Sequence, residues 1–248
     1  AFVQGMRDAA REHAVWISVG VHESSETDTK RCYNTQLLID QHGTICAQYR
    51  KLHLYDVDIL NGPSILESNT TIPGDKLVPP VDTPLGRIGV RVTVATQLLT
   101  CYDMRFPEVS LALRRQGAQL ITYPSAFALR TGAAHWSLLL QTRAIETQCY
   151  VLAAAQVGMF RAPIDSGLHL GTTRSSYVFF LTQVGHAMIV DPWGTVVAQC
   201  RCADDLTQRY AALCTDILLA DIDLEGLERV RTDMPLWNQR RTEIYPEL

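Results

Sequence analysis

The chain has 248 residues, with 22 basic and 26 acidic side chains and a formal charge of −4. Its 47% hydrophobic and 19% charged residues exclude a disordered protein, because globular chains average about 25% charged residues. The charges form no basic stripe, so we expect neither a nucleic-acid partner nor a membrane partner.

The seven cysteines are odd in number and include no Cys-x-x-Cys pair. This pattern predicts neither a disulfide framework nor a metal site, and free thiols are typical of a reducing compartment. We therefore expect a cytoplasmic protein, with mitochondria as the alternative for a full-length form. The N-terminal residues lack a leader pattern, and no run of about 18 apolar residues occurs, so we predict no signal peptide and no membrane span.

The first third of the chain predicts a helix followed by strands. Phe2, Met6, Ala9 and Ala10 recur at helical spacing, so the chain opens inside a helix. The run VWISVGV predicts a strand, and YNTQLLID and TICAQYRK predict a hairpin that turns at QHG. The proline-rich residues 56–86 show little periodicity and predict a long connection.

The rest of the chain alternates strands with helices. Predicted strands are IGVRVTV, QLITYPSAF, CYVLAAAQVG and HAMIVDPWGTVVAQC. PEVSLALRRQG predicts a helix that starts at Pro107 and ends at Gly117, and HWSLLLQTRAIETQ predicts an amphipathic helix that begins with His135 and Trp136. This alternation indicates an α/β architecture, and the lack of repeats or composition breaks favours one domain over residues 1–248.

Cys101 is the candidate nucleophile, because it follows a predicted strand and precedes a helix start in CYDMRFPE. Backbone N–H groups and a helix N-terminus at such an elbow favour a thiolate and can hold an oxyanion. A buried core cysteine is the alternative. The polar neighbours Asp103, Arg105 and Glu108 count against it, and the residues alone leave both interpretations open.

Other residues could assist such a thiol. Lys51 ends a predicted strand, and its ammonium could stabilise a thiolate or an oxyanion, although a solvated strand end is the simpler interpretation. Glu67, sixteen residues later, is a candidate site residue only if it pairs with Lys51. His53 could serve as a general base but fits a turn residue better, and capping is the commoner role for His135.

Six segments together resemble the nitrilase, or carbon-nitrogen hydrolase, superfamily. They are YRKLHLYDVDI, ESNTTIPGD, CYDMRFPE, YPSAF, HWSLLLQTRAIETQCYVLAAAQ and GHAMIVDPWGTVVAQC, and they occur in order along nearly the whole chain. The sequences of these six segments are similar to those of the branch that hydrolyses the amide of deaminated glutathione. A close relative, the omega-amidase branch, is the alternative.

The resemblance implies a four-layer αββα sandwich and a Glu, Lys, Cys mechanism without a metal or organic cofactor. Cys101 would attack the amide carbon, and Lys51 and the backbone N–H of Tyr102 would hold the oxyanion. Glu67 is similar to an additional glutamate that positions the lysine. Ser125, Ala126, Phe127 and His135 would bind the substrate or the oxyanion. The family also pairs through flanking helices, so we expect a homodimer or larger assembly that uses residues 107–116 or 135–148.

The chain departs from the family pattern at three places. The acid-base glutamate, a first strand and a helix would lie upstream of residue 1, because Glu12 falls in the opening helix and Glu23 and Glu26 fall in a predicted loop. The segments 93–100 and 178–184 are insertions, both apolar enough to form strands. These departures leave open a catalytically dead binding module, and a thiol hydrolase that uses His53 is a further alternative.

Overall fold

The computed structural model describes residues 1–58, 64–84, 93–162, 179–200 and 217–245. The chain divides into two compact units: Ala1–Val78 with Gly158–Gln183, and Pro79–Val157 with Val184–Leu248. The described elements, in chain order, are α1 (Phe2–His13), β1 (Ile17–Ser24), β2 (Cys32–Ile39), β3 (Ile45–Arg50), β4 (Asp56–Asp58), β5 (Ser64–Leu66), β6 (Thr71–Ile72), β7 (Val81–Pro84), β8 (Thr93–Leu98), α2 (Pro107–Arg115), β9 (Leu120–Thr122), α3 (Leu129–Thr147), β10 (Tyr150–Ala153), β11 (Val157–Ala162), β12 (Phe179–Val184), β13 (Met188–Val190), β14 (Val196–Gln199) and α4 (Leu224–Asp233).

The first unit is built on a sheet with the strand order β1, β2, β3, in which β6 also pairs with β2. The antiparallel registers run from Ile17 opposite Ile39 and from Thr35 opposite Arg50. Alternating apolar residues of β1 and β2 face α1, which packs its stripe of Val3, Met6 and Ala10 against the sheet. The predicted opening helix, first strand and hairpin are therefore confirmed.

The second unit contains a six-stranded sheet with the order β14, β13, β10, β9, β8, β7. The three central strands β8, β9 and β10 are parallel, since Thr96 and Tyr150 both lie opposite Leu120. The outer strands are antiparallel to their neighbours. Helix α4 contributes Leu227 to a buried cluster with Leu120 and Tyr150. Parallel strands require crossover connections, and α2 and α3 supply them here.

Several predicted boundaries were wrong. Helix α3 starts at Leu129, so His135 and Trp136 lie inside it rather than at its start. Gly132 lies inside the helix, because one glycine costs a helix only about 1 kcal/mol, and the amide of Gly132 donates to the carbonyl of Ala128 at 2.7 Å. Residues 56–86 contain the β4–β5 hairpin and two more short strands, where a long connection with little periodicity was predicted.

The two inserted segments are strands in the parts that the structure describes. Thr93–Leu98 forms β8 between β7 and β9, and Phe179–Val184 forms β12, which pairs with β11. Most of the predicted strand IGVRVTV, residues 88–94, lies outside the described residues. The insertion at 93–100 therefore contributes the strand that leads into the turn of Cys101.

Candidate active site

The predicted site residues form two groups, one in each unit, and the first group centres on Lys51. Lys51 follows β3 and is only 3% exposed, and its Nζ forms an ion pair with Oε2 of Glu67. That oxygen also accepts a hydrogen bond from the amide of Tyr55 at 2.7 Å, and Oε1 accepts one from Asn34 Nδ2 at 3.4 Å. Because a buried charge is costly unless it is paired, Glu67 compensates the buried ammonium.

The backbone around Lys51 is fixed on both sides. Its amide donates to the carbonyl of Asn34 and its carbonyl accepts from the amide of Gly74, each at 2.8 Å. A Cβ added to Gly74 would lie 2.2 Å from the carbonyl oxygen of Arg50, so only glycine fits here. Glu67 comes directly after β5, so the β4–β5 hairpin determines where its carboxylate lies.

The second group centres on Cys101, which begins a 3-10 turn, Cys101–Arg105, between β8 and α2. Its φ of 47° lies in the left-handed region, which non-glycine residues seldom adopt and which is concentrated at functional sites. Asp103, fully buried, closes the turn: its Oδ2 accepts from the amide of Thr100 at 3.0 Å, and its own amide donates to the carbonyl of Thr100 at 3.0 Å.

The segment after β9 lies against the sulfur. The amide of Cys101 donates to the carbonyl of Pro124 at 3.2 Å, and Sγ donates to the carbonyl of Ala126 at 3.7 Å. Ser125 is nearly buried, and its hydroxyl donates to the carbonyl of Tyr123 at 3.0 Å. The structure therefore brings Ala126 to the thiol, whereas the hydroxyl of Ser125 is bound to backbone.

Aromatic and basic side chains surround the same turn. Phe127 packs edge-on against Trp136 of α3, with ring centroids 5.0 Å apart. Arg105 lies over the rings of Tyr102 and Phe127, and its Nη1 is 3.2 Å from Nδ1 of His135. The second unit thus collects five of the predicted residues, Cys101, Tyr102, Ala126, Phe127 and His135, around one turn.

Two other residues with reactive side chains have structural roles. Cys149 is fully buried, and burial raises the pKa of its thiol, which donates to the carbonyl of Ala118 at 3.1 Å. Glu23 lies in β1, so its predicted place in a loop was wrong. Its carboxylate accepts hydrogen bonds from Arg50, Thr35 and Gln48, and Arg50 lowers its pKa. His53 lies in the bend after β3.

The sequence interpretation missed three residues that hold these groups in place. Asn34 contacts Glu67 and Lys51 from β2, and asparagine is uncommon enough inside a strand to have been a signal. Asp103 was noted only as a polar neighbour. Arg143 of α3 is buried and donates from Nε to the carbonyl of Met104 at 2.7 Å, a contact that no local pattern predicts.

Among the residues that the structure describes, no cluster of three or more His, Cys, Asp or Glu side chains is suited to hold a metal ion. No helix in the same residues has the length and apolar character needed to cross a membrane.

Residues 1–232 match the family model for carbon-nitrogen hydrolases. The chain is 45% identical over 242 residues to the deaminated glutathione amidase of Homo sapiens, covering 96% of this chain and 63% of that protein. It is similar to the crystal structure of the C. elegans NitFhit protein, with a TM-score of 0.77 and 39% identity over 98% of this chain and 51% of that one.

A third similarity is to an amidase variant from Nesterenkonia sp. AN1, which carries the acetamide moiety of fluoroacetamide covalently added at its active-site cysteine. Here the TM-score is 0.57 and the identity 25%, over 85% of this chain and 70% of that one. The predicted α/β fold of the nitrilase type is confirmed by these neighbours. The chain spans less than two thirds of the human relative and about half of the worm chain.

Proposed function

The chain belongs to the carbon-nitrogen hydrolase family, and from that premise we propose that it hydrolyses the C–N bond of a small amide that bears a carboxylate, of the deaminated glutathione type. The observation that carries this proposal is the left-handed Cys101 at the start of a turn between a parallel strand and a helix. Such an elbow presents a nucleophile at the edge of a sheet, as in other strand-turn-helix hydrolases.

In the proposed reaction, the Cys101 thiolate attacks the amide carbon and forms a tetrahedral intermediate. The backbone N–H of Tyr102 and the ammonium of Lys51 stabilise its oxyanion. The C–N bond breaks as the nitrogen takes the proton that the thiol of Cys101 gave up, and the nitrogen leaves as ammonia or an amine. Water then attacks the thioester, and the products are a carboxylate and the free thiol.

We assign Glu67 to positioning and charge compensation of Lys51 rather than to proton transfer. Its Oε2 already binds the ammonium and the amide of Tyr55, which supports this role. Glu23 is bound to Arg50 and does not fit the acid-base role either.

We also propose a single catalytic domain that assembles into homodimers in the cytoplasm. The family model spans residues of both units, which supports one domain. The exposed Leu138 and Ile145 on α3, with Trp193 and Val197 on the neighbouring hairpin, support a pairing surface. All five described cysteines are free, as expected in a reducing compartment. Sedimentation velocity measures the assembly.

The test measures release of the cysteinylglycine amine from deaminated glutathione and release of ammonia from alpha-ketoglutaramate. We expect turnover of the first, with a loss of at least about 10³-fold in Cys101→Ser and in Lys51→Met, since each removes one member of a catalytic unit. Cys46→Ser, which changes an exposed thiol, is the matched control and should retain full activity.

Three further outcomes separate the alternatives. Turnover of alpha-ketoglutaramate alone would assign the omega-amidase reaction. No turnover of either amide, together with iodoacetamide labelling of Cys101 at the rate of Cys46, would refute the hydrolase and favour a binding module. Full activity in Lys51→Met with loss in His53→Ala would instead indicate a thiol hydrolase that uses His53.

A further inference from the structure

The segment after α4 places a tryptophan ring among arginines of the second unit. Trp237 lies in the turn of residues 236–239. The guanidinium carbons of Arg240, Arg114 and Arg115 lie 4.4, 5.4 and 6.0 Å from the centroid of its ring. Arg114 and Arg115 end α2, whereas Arg240 follows the turn, so packing brings the two segments together. Three like charges therefore lie within 6.0 Å of one point.

Arg240 contacts a glutamate residue through its backbone. Its Nη2 donates to the carbonyl of Glu146 at 3.3 Å, whereas the carboxylate of Glu146 forms an ion pair with Arg143. Nε of Arg240 is buried, and among the described residues it has no hydrogen-bond partner. A buried N–H group without an acceptor is costly, so such groups are nearly always paired. The guanidinium of Arg240 therefore carries a donor that the described part of the chain leaves unsatisfied.

Arg114 is partly buried and lies among like charges. Burial lowers its pKa, and so do the charges of Arg231 and Arg240. Its Nε is also buried without a hydrogen-bond partner among the described residues, where its contact is the ring of Trp237. Arg231 forms an ion pair with Glu228. Because a guanidinium stays charged at neutral pH, a positive charge in need of a partner remains at Arg114.

Structural effects account for part of this arrangement. A tryptophan face attracts a guanidinium, and the helix dipole favours cations at the end of α2. The ring carries no net charge, however, so it neutralises none of the guanidinium groups around it. A phosphoryl group has up to two negative charges and three acceptor oxygens, and it is bound in proteins by the N–H groups of arginines. Several guanidinium groups around one point match that chemistry.

We propose that Arg114, Arg115 and Arg240 form a binding site for a phosphoryl group, carried by inorganic phosphate or by a small phosphate monoester. A divalent oxyanion accepts from more than one guanidinium and offsets the repulsion among them, whereas a monovalent carboxylate pairs well with only one. Arg115 is exposed, so the site opens to solvent at this residue. The proposal does not depend on the proposed amide hydrolysis.

The test is thermal unfolding of the full chain during a titration with inorganic phosphate, at constant ionic strength. A ligand that binds the folded state alone stabilises it, and phosphate at about ten times its Kd should raise Tm by roughly 3–6 °C. Acetate at the same ionic strength should not raise Tm. The response to phosphate should be lost in Arg114→Gln and in Arg240→Gln. Arg241→Gln, which removes an exposed arginine paired with Glu243, is the matched control and should keep it.

Two milder variants keep the test informative if the partly buried arginines are needed for folding. Arg115→Glu reverses an exposed charge and should weaken phosphate binding by at least about tenfold, since a like charge then faces the anion. A change in tryptophan fluorescence on adding phosphate should disappear in Trp237→Phe, which keeps an aromatic ring and locates the ligand. Methyl phosphate distinguishes the sources: binding as tight as that of phosphate supports a site for monoesters, and weaker binding supports a site for the inorganic anion.

Two results would overturn the proposal. One is a parent chain whose Tm and fluorescence do not respond to phosphate, or a response that Arg114→Gln, Arg240→Gln and Arg115→Glu all retain. The other is the lack of a phosphate response together with weaker self-association of Arg115→Glu in sedimentation velocity. That result would assign the arginines to a contact with a carboxylate of a second copy of the chain.

Discussion

Arg143 is the side chain whose loss should most loosen the turn of Cys101. It is buried in α3, and its Nε donates to the carbonyl of Met104 at 2.7 Å, inside the turn. Its Nη1 forms an ion pair with Glu146, one helical turn further on. Arg143→Met keeps the apolar stem and removes both interactions, so the carbonyl of Met104 and the carboxylate of Glu146 each lose a partner.

Both losses carry a free-energy cost. A buried carbonyl without a donor costs about 1–3 kcal/mol, and breaking a fully buried ion pair costs about 3–5 kcal/mol. The side chain of Glu146 is 26% exposed, so water compensates part of the second cost. We expect a total loss of about 2–4 kcal/mol in the free energy of unfolding, which lowers Tm by roughly 5–15 °C in a chain of this size.

The assay is urea unfolding of four proteins: the parent chain, Arg143→Met, Glu146→Gln and the double variant. Burial raises the pKa of Glu146 and Arg143 opposes that shift. Without Arg143, the ionised carboxylate is therefore less stable in the folded protein. Glu146→Gln should therefore destabilise the parent but restore about 1 kcal/mol in Arg143→Met. A stability of Arg143→Met within about 0.5 kcal/mol of the parent, or equal effects of Glu146→Gln in both backgrounds, would refute this reasoning.

Two predictions concern the first unit. Gly74→Ala places a Cβ against the carbonyl of Arg50 and should cost about 1–3 kcal/mol and displace Lys51, whereas Gly20→Ala, with nothing within 4 Å, should change urea stability by less than about 1 kcal/mol. The pKa of Glu23 is lowered chiefly by its hydrogen bond from Arg50, so its stabilisation is present above its ordinary pKa of 4.5 and is lost as pH falls below it. Glu23→Gln should therefore reduce the decline of Tm between pH 6 and pH 3, and an unchanged decline would count against this ion pair.

Local sequence patterns determined the elements that carry the site. The spacing of Met6 and Ala10 marks α1, and Pro107 marks the start of α2, because helix periodicity and capping are properties of neighbouring residues. For the same reason the position of Cys101 between a strand and a helix could be predicted. The start of α3 could not, since a buried glycine is tolerated there only because the packed helix stabilises it.

Tertiary structure decided which side chains meet. Glu67 reaches Lys51 through a hairpin, Arg105 meets His135 across 30 residues, and Arg143 contacts the carbonyl of Met104 across 39. Such contacts depend on how helices and strands pack, and packing is set by the shapes of many side chains together rather than by any local pattern. The sequence therefore determines the residue types available for the chemistry, and packing decides which of them meet and which charges are compensated.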